Sequence, residues 1–169
     1  MTTRREKMLG WSTKPDNSGE VFFEPYGIKA TNGKWDRMVG IFNDSATKDG
    51  LHGSFDVPKG YVDTANLIIV WTSIATSGDV DWELEYRAVG GDDTESLDQA
   101  TAQESVPVND IAPSAINERM EVSVSLTDGN FAIDDTVSFI LFRDGVVEAG
   151  GGIVAAVILF GLFFEYNDS

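Results

Sequence analysis

The sequence predicts an all-β protein: an antiparallel β-sandwich, a jelly roll of about eight strands, with an extended N-terminal arm. Three observations carry this. Val80 to Val89 alternates strictly, with Val80, Trp82, Leu84, Tyr86 and Ala88 on one side and Asp81, Glu83, Glu85 and Arg87 on the other. That is the period-two mark of a strand with one buried and one solvated face. Similar short runs recur between turn signals along most of the chain, the spacing of sandwiches and barrels. No stretch carries a convincing long helix. Eight antiparallel strands in two sheets match a jelly roll, and an immunoglobulin-like sandwich is the competing arrangement.

Residues 1–19 read as the arm. They lack periodicity and contain the turn-forming run Lys14-Pro15-Asp16-Asn17-Ser18-Gly19. Residues 20–169 read as the sandwich domain. Glu20 to Glu24 is a short strand stopped by Pro25, and Asn32-Gly33 is a turn pair. Trp35 to Asn43 alternates as a second strand, and Asp44 to Gly50 is polar and loop-like. His52 to Val57 is a strand ended by Pro58. Asn66 to Ser73 is strongly apolar, with Leu67, Ile69 and Trp71 on one face and Ile68, Val70 and Thr72 on the other. After Val80 to Val89, Gly90 to Ser114 is a long polar excursion in which 96–103 could form one helical turn. Met120 to Thr127 points Met120, Val122, Val124 and Leu126 inward, and Thr136 to Arg143 is a strand turned by Asp144-Gly145.

The most apolar stretch is the last, Ile153 to Tyr166. It is shorter than the ~20 residues of a membrane helix. Its β-branched and aromatic content, with Gly161 in mid-run, favours a strand. Strict alternation puts Val157, Leu159 and Phe163 on one face and Ile158, Phe160, Leu162 and Phe164 on the other. One face meets the core. The second, with Ile68 and Val70, is expected to meet a neighbouring subunit, because a large exposed apolar patch is unusual on a monomer.

The net charge is −16, with no cysteine and one histidine. Such a chain repels nucleic acid and anionic membrane, and thiolate metal sites and disulfides are excluded. Met1 to Leu9 has no apolar core of a signal peptide. The cations are uneven: Arg4, Arg5, Lys7 and Lys14 crowd the first fourteen residues. This suggests an arm that leaves an acidic body and docks elsewhere, with Trp11 as its anchor.

The inventory for catalysis is thin. His52 lies in Leu51-His52-Gly53-Ser54, and no Gly-x-Ser-x-Gly elbow accompanies it. Glu83 and Glu85 share a strand face, a spacing that suits paired carboxylates but equally suits a solvated surface. Asp92-Asp93 and Asp134-Asp135 sit in loops where calcium could bind, without the twelve-residue calcium-loop pattern. Trp71 and Trp82 read as core, and Trp11 and Trp35 as candidates for exposure to a sugar ring. No catalytic residue, cofactor or metal site is assigned.

Several segments together resemble virion structural proteins of tailed bacteriophages with jelly-roll folds, the head decoration (cement) proteins and parts of fibres and spikes. They are Phe55-Asp56-Val57-Pro58-Lys59-Gly60-Tyr61, Trp71, Gly78 to Arg87, Asp134 to Phe139, Leu141-Phe142-Arg143-Asp144 and Leu162 to Tyr166. In the sharpest, Leu-Phe-Arg-Asp, a strand ends and Arg143 leaves the sheet. The resemblance implies a non-enzymatic homotrimer on the outer surface of a capsid, bound to the major capsid protein. The arm residues Arg4, Arg5, Lys7, Trp11 and Lys14 would then contact the capsid, and Ile68, Val70, Ile158, Phe160, Leu162 and Phe164 the neighbouring subunit. The alternative is a carbohydrate-binding or fibre domain that recognises a host-surface glycan.

Overall fold

The structure is a computed structural model that describes residues 1–8, 10–12, 21–26, 37–44, 47–91, 94–145 and 151–169, with only the backbone at 10–12, 22–26 and 37. Among these the strands are β1 (Thr2–Lys7), β2 (Gly10–Ser12), β3 (Val21–Tyr26), β4 (Arg37–Phe42), β5 (Lys48–Asp56), β6 (Tyr61–Ser73), β7 (Asp79–Val89), β8 (Glu104–Ile111), β9 (Met120–Ser125), β10 (Thr136–Asp144) and β11 (Val157–Asp168). A single 3₁₀ turn, Asp128–Asn130, is the one helical element among the described residues.

Two antiparallel sheets face each other. One runs β3-β4-β11-β6-β9, with β1 also paired to β11, and the other runs β2-β5-β10-β7-β8. From β5 to β11 the chain crosses between sheets at every connection except that joining β7 to β8. This is a jelly-roll sandwich, as the alternating pattern predicts.

The core lies between the sheets. The five-stranded sheet contributes Trp82, Leu84, Tyr86, Phe139 and Leu141, and the six-stranded sheet contributes Leu67, Ile69, Trp71, Leu162 and Phe164. Trp82 meets Phe42 edge to face at 5.3 Å and Trp71 at 6.2 Å, a packing favoured by ring quadrupoles. Gly53 has a packing role: a Cβ there would stand 2.3 Å from Cζ of Phe139.

Several elements differ from expectation. β3 continues through Pro25, which an edge strand tolerates because the missing N–H need not face a partner. β5 begins at Lys48, inside the expected loop. Residues 96–103 contain no helical turn, and the excursion ends in β8, whose Val106 and Val108 pack on the core.

Residues 2–7 do not leave the body. They pair antiparallel with β11 from Thr2 opposite Asp168 to Lys7 opposite Phe163, and the next residue, Met8, is buried. Two of the cations that mark an arm, Arg4 and Arg5, are balanced by carboxylates on β11 and β9. Arg4 Nε lies 2.5 Å from Asp168, and Arg5 lies 2.5 Å from both Glu165 and Glu121.

The faces of β11 also change. Leu159 pairs with Trp71 and Gly161 with Val70, so Phe160 is an extra residue, a β-bulge. It falls where the neighbour of β11 changes from β4 to β1. Beyond it every side chain swaps face. Leu162 and Phe164, expected at a subunit interface, are core at 0% and 1% exposure, and Phe163 turns outward opposite Ile68. Ile68, Val70 and Ile158 do lie on the outer side, yet the chain buries them to 1%, 5% and 4%. Phe160 is half-buried. This face is therefore not an open apolar patch awaiting a second subunit.

Arg143 is the last correction. It stays in the ladder of β10 and is 1% exposed. Its guanidinium donates to the carbonyls of Ile153 (2.6 Å), Ala155 (2.8 Å) and Asn43 (3.2 Å). Asp49, also buried, is its register partner on β5. The fork of five donors suits this convergence of carbonyls, and it ties the segment before β11 to the end of β4.

Candidate functional site

The outer face of the five-stranded sheet is where chemistry-bearing side chains collect. On β7 the outward positions are Asp81, Glu83, Glu85 and Arg87, as the alternation predicts. The pairing sets them in rows. Glu85 is opposite Ile140, which is opposite His52, and Arg87 is opposite Ser138, which is opposite Ser54. Over these two rows passes the connection from β7 to β8. The result is an open groove of about 480 Å³, with β5, β10 and β7 as its floor and residues 97–102 as a wall. That volume lies within the range of small-molecule and cofactor sites.

The groove mixes polar and apolar surface. Glu85 and Arg87 sit at i and i+2, about 7 Å apart along the strand. Ser54 and Ser138 supply hydroxyls, and Ile140 and Leu97 supply apolar contact. Leu97 is 69% exposed, an apolar side chain held at the rim.

Next to the groove, Glu83 is committed elsewhere. It accepts from Lys48 and from the Ser105 hydroxyl (2.6 Å), and Lys48 also lies 3.3 Å from Asp144. Burial works to raise the Glu83 pKa, but the Lys48 and Ser105 hydrogen bonds outweigh it and hold the carboxyl below its usual range. A general acid for glycoside cleavage needs the opposite shift. His52 and Glu85 are separated by β10, two strand spacings or about 10 Å between backbones, so the register does not set them side by side as a base and its orienting acid.

The calcium expectation finds no support in Asp134-Asp135. Asp135 is buried and its carboxylate accepts the Ala132 N–H at 2.7 Å. Asp92 and Asp93 lie outside the described residues. Among the described residues no group of three or more His, Asp or Glu side chains is arranged to hold a metal ion.

Of the expected capsid contacts, Arg4 and Arg5 are held in the ion pairs above and Lys7 is exposed on β1. Trp11 falls in β2, where its backbone pairs with Gly53 at the edge of the groove-bearing sheet. Lys14 and Trp35 lie outside the described residues. The sequence puts Arg87 on the outward face of its strand and residues 97–102 in a polar excursion, with no function attached to either. The available signal was Ser105-Val106-Pro107-Val108-Asn109, whose alternation marks β8 and so makes the preceding residues a bounded loop.

No family model matches the chain, and no curated protein matches it. Among solved structures it is similar to the xylan-binding domain CBM22-1 of Paenibacillus barcinonensis Xyn10C, at 12% identity and TM-score 0.50, covering 99% of this chain and 94% of that one. It is similar to the K1 cleaved adhesin domain of Lys-gingipain from Porphyromonas gingivalis W83, at 14% identity and TM-score 0.50, covering 99% of both chains. It also matches the arabinose-bound MgGH51 α-L-arabinofuranosidase at 13% identity and TM-score 0.49, covering 93% of this chain but spanning only 23% of the enzyme. At these identities the likeness is one of fold.

Proposed function

We propose that this chain is a non-catalytic, glycan-binding β-sandwich module whose ligand lies in the groove over β5, β10 and β7. The observation that carries the reading is the groove's make-up: Glu85, Arg87, Ser54 and Ser138 beside Ile140 and Leu97 in one open trough. A sugar ring offers hydroxyls that both donate and accept, on an apolar ring body. A site with a carboxylate, a guanidinium, hydroxyls and aliphatic surface can meet both. The body's charge of −16 disfavours polyanions, so neutral glycans are the class expected. The fold is one that a xylan-binding domain also uses. The commitment of Glu83 to Lys48 and Ser105 supports binding without cleavage.

The competing expectation, a homotrimeric decoration protein on a phage capsid, rests on the resemblance to phage virion proteins together with a free basic arm and an open apolar face. Of the arm, residues 2–7 pair with β11, and Ile68, Val70 and Ile158 of that face are buried within the chain.

The test is affinity gel electrophoresis of the whole chain in soluble xylan, mixed-linkage β-glucan and galactan, with a gel lacking polysaccharide as reference. Retardation by at least one, lost in Glu85→Ala, is the expected result. Equal mobility of a folded protein in all gels, together with co-sedimentation on capsids, would replace this reading with the competing one.

A further inference from the structure

The groove wall is a segment with little support of its own. Every described residue from Thr94 to Gln103 is exposed, and none belongs to a strand or helix. The far end is tied at Gln103 by backbone and side chain: Gln103 N–H donates to the Tyr86 carbonyl at 2.8 Å, and the Ala88 N–H donates to Gln103 Oε1 at 3.0 Å. Between these ties and the end of β7, Arg87 reaches up from the sheet. Its Nη1 donates to the Thr101 carbonyl at 3.2 Å, and its Nη2 lies 3.5 Å from a Glu95 carboxylate oxygen. The guanidinium is thus bound to both ends of the span that forms the wall. Its Nε is buried with no hydrogen-bond partner. A buried donor without a partner is a cost, borne here by the residue that fastens the wall.

We propose that Arg87 is the positioning residue of the groove: a clasp that holds residues 95–101 over the sheet as a wall, so that the groove is a trough and not a flat face. The inference rests on the groove being the ligand site, but the clasp itself can be tested without any ligand. A planar fork can serve a carbonyl and a carboxylate at once, which a lysine ammonium on the same stem does with far less geometric control. Burying a side chain's worth of ligand surface needs walls, and preordering the wall removes a cost of binding. When Arg87 lets go, residues 95–101 have no other side-chain tie to the sheet among the interactions above, the Gln103 side chain holding only the far end.

The test uses the full chain, with Arg87→Gln and Arg87→Lys, and Glu95→Ala as a variant that leaves the sheet untouched. Chymotrypsin acts at Leu97, which stands 69% exposed in the middle of the span. Cleavage of a locally opened segment follows its opening equilibrium. Arg87→Gln should therefore be cut about tenfold faster at Leu97, the equivalent of ~1.4 kcal/mol of lost clasp. Arg87→Lys should fall between it and the wild type, and Glu95→Ala should be cut a few-fold faster. The melting temperatures should stay close together, because the wall is not core. Retardation in a polysaccharide gel should weaken in the same order. Equal cutting rates in all four proteins would overturn the clasp. Faster cutting with undiminished retardation would overturn the wall's part in the site. If wild type is retarded by no polysaccharide while Arg87→Gln is still cut faster, the clasp stands and the glycan reading falls.

Discussion

Deleting Phe160 should leave the protein folded, and this separates the observed β11 from a strictly alternating strand. The inward residues are Val157, Leu159, Leu162, Phe164 and Tyr166, and the step from 159 to 162 is three positions where a regular strand takes two. Removing Phe160 makes all of them alternate evenly. It also closes the first of the register shifts in the ladder to β6, since Leu159 opposite Trp71 and Gly161 opposite Val70 become neighbours. On the other edge, pairing with β4 ends at Leu159 and contact with β1 begins with Met8 N–H to the Leu162 carbonyl, so the interval between them takes up the shortening. The cost is the partial burial of one phenylalanine and the local adjustment, about 1–2 kcal/mol. Deleting Phe163 is the control. Straightening the bulge to absorb that deletion keeps Phe164 and Tyr166 inward but puts Gly161 in the core place of Leu162. Emptying the place of a buried leucine costs ~2–5 kcal/mol, a large part of the ~5–15 kcal/mol of a domain's stability and more than the Phe160 deletion. Urea unfolding followed by tryptophan fluorescence reads both, because Trp71 and Trp82 are buried. The reasoning is refuted if the Phe160 deletion is unfolded or is the more damaging of the two.

Removing residues 1–8 should lower the melting temperature, because Met8 is core, a burial worth ~1.5–3 kcal/mol, and the outer edge of β11 from Phe163 to Asp168 is uncovered; an unchanged melting curve would mean that this edge pairing contributes nothing. Arg143→Met should cost about 2–6 kcal/mol by orphaning the carbonyls of Ile153 and Ala155, at roughly 1–3 each, and calorimetry showing a stable variant would place the energy elsewhere. Asp110 accepts the Trp71 indole N–H at 2.8 Å, and burial raises its pKa above the ordinary 3.8 despite that bond. A raised carboxyl contributes stability below its unfolded pKa that is lost as pH rises through the folded one. Asp110→Asn keeps an acceptor for the Trp71 indole, leaves the exposed Ile111 N–H to water and removes the charge, so it should melt higher than wild type at pH 7, with the gap closing below about pH 4; a variant that melts lower at pH 7 would reverse the sign.

Much of the sandwich was legible in the chain. The even alternation of Val80 to Val89 placed Trp82, Leu84 and Tyr86 in the core and Glu83, Glu85 and Arg87 outside, and the structure agrees. The faces of Asn66 to Ser73 and of Met120 to Leu126 were equally readable. In each case one strand's own pattern suffices, because side chains alternate with a fixed period and water selects the apolar face. β8 was hidden by Pro107 and by the polar residues around it, which an edge strand accommodates.

What the tertiary structure decided are the quantities that depend on partners. A single strand cannot announce a bulge, since Ile158 to Phe164 is apolar at every position but Gly161 and fits either register; the change of neighbour from β4 to β1 accompanies the extra residue. The basic start looked free because its balancing carboxylates, Glu165 and Asp168, lie more than 150 residues away in the chain and meet it only through antiparallel pairing. Arg143 looked solvent-bound for the same reason: its acceptors are backbone carbonyls, which no side-chain pattern records. The groove is the furthest case. Glu85, Ile140 and His52 form one row only after three strands from distant parts of the chain are in register. Local periodicity sets which face a residue takes, whereas long-range pairing sets what it meets there.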